Sequence, residues 1–177
     1  MFRQKTGVFW ISLIAWSIGA ALIGVSHASA DSCSDYGVHR DAYLDHVGSG
    51  MARQLDAMAA RRGVPVEAAA FYWGGTLMQA GDPVSLDSLA QLTLATARWP
   101  GQAERAERAM ERISMEHGSQ MASLLAGLML SDGRGVDDPY RARAYLSGAA
   151  RSGNRDASAF MGMLEACEGR RVAFSAH

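Results

Sequence analysis

An all-α fold is predicted, a short α-solenoid of antiparallel helix hairpins, and three observations predict it. Apolar residues recur at helical spacing through most of the chain after residue 41. No window alternates apolar and polar residues with the period of a half-buried strand. A pattern of small residues also restarts after thirty-five positions: Gly118, Ala122-Ser123 and Gly127 recur as Gly153, Ala157-Ser158 and Gly162. A period in that range, read as helix–turn–helix, means stacked helical pairs rather than a closed globule.

The elements follow in order. Residues 31–40 read as irregular. Residues 41–62 read as a helix, with Leu44, Val47, Met51, Leu55 and Met58 at helical spacing, and Gly48-Ser49-Gly50 as a place to kink or split it. Gly63 ends that helix, and Pro65 suits the first turn of the next, residues 66–80. Gly81 closes the second helix, Asp82 is positioned to cap the third, and Pro83 opens it. The third spans 84–98 and ends at Trp99-Pro100-Gly101. The fourth, 102–117, is rich in Glu and Arg, with Glu104 and Arg108 as a favourable pair four apart. Gly118 stops it. Residues 120–130, 139–152 and 155–168 complete a series of six or seven helices, and Asp138-Pro139 is a strong start signal for the sixth.

The first thirty residues are expected to be a signal peptide outside the fold. Arg3 and Lys5 give a positive start, residues 8–25 are apolar, and Ala28-Ser29-Ala30 is a small-residue cleavage site. The alternative is an inner-membrane anchor formed by residues 8–25, because a run of about 18 apolar residues spans a bilayer. Cleavage after Ala30 leaves 147 residues, enough for one domain with its own core. It also moves the formal charge from −1 to −3. The arginines are interspersed with acids rather than massed, so no nucleic-acid partner is expected.

Lys5 is the sole lysine, so the cleaved chain carries all its side-chain cations as arginine and histidine. That excludes Schiff-base catalysis, a P-loop lysine and a Ser-x-x-Lys nucleophile. Arginine does not lose its proton near neutral pH and cannot replace the amine. Two cysteines remain, Cys33 and Cys167. In an exported protein they are candidates for one disulfide between the first segment and the last helix; two separate thiols or a link to another chain are the alternatives.

Residues 122–162 resemble the Sel1-like repeat, a relative of the tetratricopeptide repeat. The matching positions are Ala122, Gly127, Gly133-Arg134-Gly135-Val136, Asp138, Ala142, Tyr145, Ala149-Ala150, Gly153, Ala157 and Gly162. The resemblance implies packing and turn roles for the alanines and glycines. It implies inter-repeat packing for Tyr145, and for Asp138 a place at the start of the second helix. The best repeat is 119–153, with a partial one at 154–168. Departures are Ala126 and Met161 where the family has leucine, Leu130 where it often has tyrosine, and a loop shorter by one residue before Asp138. Glu107, Met110, Ser114 and Met115 make the preceding repeat degenerate. The expected division is therefore 31–83, a segment and hairpin without the motif, and 84–177, the repeat region.

Candidate sites are few. Phe71-Tyr72-Trp73, followed by Gly74-Gly75, is the densest aromatic cluster. It is a candidate partner-binding site, since aromatic side chains anchor interfaces. The preferred reading is the core of the first hairpin, because three consecutive helical residues point in different directions. His39 and His46 lie among Asp35, Asp41 and Asp45, but seven residues are two helical turns, about 10 Å, too far for both to ligate one ion unaided. His117 beside Gly118 suits a helix end. Asp132, Asp137 and Asp138 lack the ligand order of a calcium loop. Ser49 is not in a Gly-x-Ser-x-Gly elbow. Arg105, Arg108, Arg112, Arg141, Arg143, Arg151 and Arg155 read as a solvated face or the rim of an interface.

No catalytic residue, cofactor or metal is expected. The resemblance implies an exported, periplasmic or secreted scaffold whose groove, lined by the first helix of each pair, binds a protein or peptide of the cell envelope. The alternative is a cell-wall-fragment or β-lactam binding protein or hydrolase, by likeness to cysteine-rich Sel1-like proteins. That subgroup carries a cysteine pair in each repeat, where this chain has Cys33 and Cys167 alone.

Overall fold

Four helices begin on a side chain that accepts a backbone amide from their own first turn. Asp82 accepts from the amides of Val84 and Ser85, each at 3.1 Å. Ser119 accepts from Ala122 at 3.0 Å, Asp138 from Arg141 at 3.0 Å and Asn154 from Ala157 at 2.9 Å. Each satisfies a donor that a helix end leaves without a partner. Ser85 strengthens the first of these: its hydroxyl and its amide both donate to Asp82 and hold that carboxyl below the usual range.

The computed structural model of the chain describes residues 32–131 and 138–175. The apolar segment 8–25, the cleavage site at Ala30 and the turn holding Gly133, Arg134, Gly135 and Val136 lie outside the described residues. So do Asp132 and Asp137. Within them the chain is all-α, with no strand: α1 Ser32–Arg62, α2 Val66–Ala80, α3 Pro83–Thr96, α4 Ala103–His117, α5 Gln120–Leu130, α6 Pro139–Arg151 and α7 Arg155–Ser175.

Several boundaries differ from the sequence expectation. Residues 32–40 are helical rather than irregular, because Tyr36 is buried against the array and tertiary contact stabilises turns that propensity leaves open. The helix is not split at Gly48-Ser49-Gly50. Gly48 is buried beside the Arg98 guanidinium, and a Cβ there would stand 3.2 Å from Nη2. The third, fourth and sixth helices are each shorter by one or two residues than expected at an end, while α7 runs on to Ser175.

Successive helices pack on one another from α1 to α7, and α3 also packs on α5. Three apolar clusters follow the stack. Met51, Leu55 and Ala59 of α1 meet Ala69 and Ala70 of α2 and Leu92 and Ala95 of α3. Leu89, Ala90 and Leu94 of α3 meet Met110 and Ile113 of α4 and Ala122, Leu125 and Ala126 of α5. Leu124 and Leu128 of α5 meet Leu146 and Ala149 of α6, Ala157 and Phe160 of α7, and Tyr36 of α1. Helix α5 is thus buried nearly all round, which suits its uncharged sequence.

The small residues mark where helices touch. Ala122, Ala142, Ala149 and Ala157 are fully buried, and Tyr145 packs half-buried against the central cluster. Gly127 is the tightest point: an added Cβ would lie 2.7 Å from Leu146 Cγ and 3.0 Å from the Ala142 carbonyl oxygen. Gly153 follows α6 with φ +94°, a region that L side chains rarely adopt. Gly162, which has the same place in its repeat as Gly127, is exposed with nothing within 4 Å of its notional Cβ. The two sequence-equivalent glycines therefore have opposite surroundings.

Helix α1 lies across the stack and contacts α2, α3, α5 and α7. Its first turn is tied to α7 by a disulfide between Cys33 and Cys167, with Cα atoms 4.7 Å apart. Helices α1 and α2 consequently share apolar clusters with the helices that follow them.

Gly127→Ala is expected to destabilise the protein by about 1–3 kcal/mol through overpacking against Leu146, despite alanine's better helix propensity. Gly162→Ala should stabilise by about 0.5–1 kcal/mol, and urea unfolding of the pair reads the contrast. Replacing both cysteines by serine removes a cross-link spanning 134 residues. The expected loss is about 4–5 kcal/mol, read as a lower urea midpoint under non-reducing conditions.

Candidate interaction surfaces

The inner trough along α3, α5 and α7 is occupied by the chain itself. Tyr43 and Leu44 of α1 pack on both the central and the carboxy-terminal clusters, and Val47 packs on the former. The Tyr36 and Tyr43 rings meet Phe160 edge-on, at centroid distances of 6.2 and 5.4 Å. Ser131 donates its hydroxyl to the Leu128 carbonyl, so its remaining lone pairs accept from the Tyr36 hydroxyl at 2.7 Å. Arg40 donates to the Ser131 carbonyl, and Tyr43 donates to Asp156 at 2.9 Å. Near the middle of α1, Arg98 donates to the carbonyl and the carboxylate of Asp45 at 3.0 and 2.8 Å. These contacts replace the open groove expected from the sequence with a filled one.

Open depressions lie elsewhere on the surface. One flank of α1 carries Gly50, Arg53, Gln54, Ala57, Met58 and Arg61 at helical spacing. With Trp73 of α2 they line an open recess of about 560 Å³. Its floor is small because Gly50 and Ala57 are small; Arg53 and Arg61 stand two turns apart along it, about 12 Å. No acid lines the recess.

The aromatic triplet divides, which corrects the core reading. Trp73 packs half-buried on the amino-terminal cluster. Phe71 is 87% exposed and Tyr72 57% exposed, because α1 and α3 pack on the opposite side of α2. Tyr72 lies under the Arg62 guanidinium, 4.2 Å from ring centroid to Cζ. Gly74 faces Leu89 and Leu92 at ordinary contact distance, whereas Gly75 faces open space.

A second shallow depression, about 570 Å³, runs along α4 between Arg105, Arg108, Ala109, Glu111, Arg112 and Met115. Several of the arginines there and on α6 are already partnered: Arg108 with Glu104, Arg141 with Glu111 and Asp138, Arg143 with Glu165. The pairs exposed on both sides, Arg108–Glu104 and Arg143–Glu165, contribute little stability each. The structure brings together no group of three or more His, Cys, Asp or Glu side chains able to hold a metal among the described residues. His39 and His46 sit on the exposed surface of α1, and His117 ends α4. Ser49 donates to the His46 carbonyl. Among the described residues no helix is long and apolar enough to cross a membrane.

Set against family models, curated proteins and solved structures, the chain matches none of them. The functional reading therefore rests on the residues. Sequence reasoning passed over Tyr36, Arg40, Tyr43 and the Arg53–Arg61 flank. The signal for the first group was partial: Tyr36 and Arg40 fall at helical spacing before Tyr43 and Val47, but Gly37 and the charged residues around it weaken it.

Burial, then the hydrogen bond to Asp156 and its charge, hold the Tyr43 hydroxyl well above the ordinary tyrosine value of about 10. Tyr145 is raised in the same direction, by burial first and then by the Glu111 carboxylate. A raised folded value means the folded chain keeps a proton that the unfolded chain releases. The stabilisation is complete below about pH 10 and is lost as pH climbs through the raised value. Tyr43→Phe should flatten the decline of urea stability above about pH 10, as part of that linkage disappears.

Proposed function

We propose that this chain is an exported scaffold that holds another protein of the cell envelope, built as a short Sel1-like solenoid behind a cleaved signal sequence. The recess beside α1 carries this reading. Two guanidinium groups over a small-residue floor suit carboxylates presented along a peptide or helix, and Arg forms such pairs with defined geometry. Trp73 and Met58 offer an apolar anchor point beside them. The partner chemistry is thus an acidic protein segment with an apolar side chain between its charges.

The Cys33–Cys167 disulfide supports export, because such bonds persist in oxidising compartments and are rare where thiols are kept reduced. The filled trough supports docking on the outer flank of α1 rather than along the inner helices. Stacked hairpins supply an extended surface without any reactive group, which is the scaffold's physical basis.

A photo-crosslinking amino acid in place of Ala57, on the recess floor, tests the reading in intact envelopes. The expected product is a covalent adduct with an envelope protein. Combining Arg53→Glu with Arg61→Glu should abolish it without changing the melting curve, since both side chains are exposed. No adduct, or one indifferent to the charge reversal, rejects this docking site.

A further inference from the structure

Helix α2 ends the stack, and a terminal helix normally needs a polar outer face. The outer face of α2 instead carries an apolar stripe, flanked by Glu67, Thr76 and Gln79. Ala68, Phe71, Gly75 and Met78 are all exposed and recur at intervals of three, four and three, the spacing of a coiled-coil seam. Phe71 stands out from it, 87% exposed. One turn further on, a Cβ built on Gly75 meets nothing within 4 Å.

A protrusion and a hollow one turn apart on the same face complement each other across a twofold axis. In an antiparallel pair crossing at the level of residue 73, Phe71 of each copy faces Gly75 of the other. Met78 then faces Ala68. Each layer of the seam joins one large side chain to one small one, so the two backbones can approach without an unfilled gap. The sole charge of α2 is Glu67, in its first turn and away from the axis, so no like charges meet in the seam. Tyr72, braced by Arg62, flanks it.

Both unusual residues find a physical role in this contact. A glycine in an exposed helix interior costs about 1 kcal/mol against alanine. An isolated Phe71 in water leaves its whole ring unburied.

We infer that α2 is a self-complementary docking surface whose occupant is a second copy of this chain, paired antiparallel through Ala68, Phe71, Gly75 and Met78. This inference does not depend on the scaffold reading, whose recess lies on the flank of α1. A seam of one helix falls short of the about 800 Å² per partner of a standard interface, so the dimer dissociates on dilution.

Sedimentation equilibrium of the purified full-length protein over a dilution series tests this. The expected result is a monomer–dimer equilibrium. Phe71→Ala should raise its Kd at least about tenfold. Gly75→Glu should abolish the dimer while leaving the helical melting curve intact, because the position has open space and glutamate is the better helix former. A monomer at every concentration overturns the inference, as does a dimer indifferent to both substitutions. Co-sedimentation with vesicles of phosphatidylglycerol and phosphatidylethanolamine covers the competing occupant. Phe71-dependent vesicle binding by a protein that stays monomeric in solution assigns the face to lipid and equally overturns it.

Discussion

The structure depends on one long helix laid across the others. Helix α1 contributes to all three apolar clusters, through Met51, Leu55 and Ala59 at one end, Leu44 and Val47 in the middle, and Tyr36 at the other. Apart from α1, the helices pack mainly on the next in sequence, with α3 also on α5, which leaves the two ends of the chain little else to hold them in register. A helix that crosses α3, α5 and α7 supplies contacts of high sequence separation. The disulfide to Cys167 fixes its first turn to the last helix. The ends of the chain are thereby constrained together.

That arrangement decides which surfaces stay open. The inner surface of α5 and α7 is apolar, and the chain covers it with Tyr36, Tyr43 and Leu44, whose polar atoms are matched to Ser131 and Asp156. Covering it leaves the outer flanks as the available ground. These flanks differ in chemistry. The recess beside α1 is arginine-lined with a tryptophan at its edge, the outer face of α2 is nearly uncharged, and α4 presents arginines of which some are already paired.

Within the stack, small residues do different things according to what lies opposite. Gly127 is required because α6 passes so close that Leu146 occupies the space of a side chain. Gly162 lies thirty-five residues on in the same pattern, yet among the described residues nothing comes within 4 Å of its notional Cβ. Ala122 and Ala157 behave alike because both face inward whatever follows. A repeat pattern thus predicts the contact a residue would make, and the presence of a neighbour settles whether it is made.

The helices at 66–80, 84–98, 102–117 and 120–130 were legible because their signals are local: Asp82 opens one of them, and Gly81 and Gly118 end two others, each acting within one turn. Residues 32–40 were not, since Gly37 and the charged residues around it weaken local helix preference, and the turns there are stabilised by Phe160 and Ser131 far along the chain. The triplet Phe71-Tyr72-Trp73 shows the same division at one site. Its helix was readable, but which ring faces inward depends on α1 and α3 packing against one side of α2. The amino-acid sequence alone determined the all-α class, the Asp82 and Asp138 caps and the inward place of Ala122 and Ala157, because these arise from interactions within a turn or at a repeated spacing. Tertiary structure decided that α1 fills the trough, that the cysteines meet, and that Phe71 stands in solvent, because each depends on elements brought together across the whole chain.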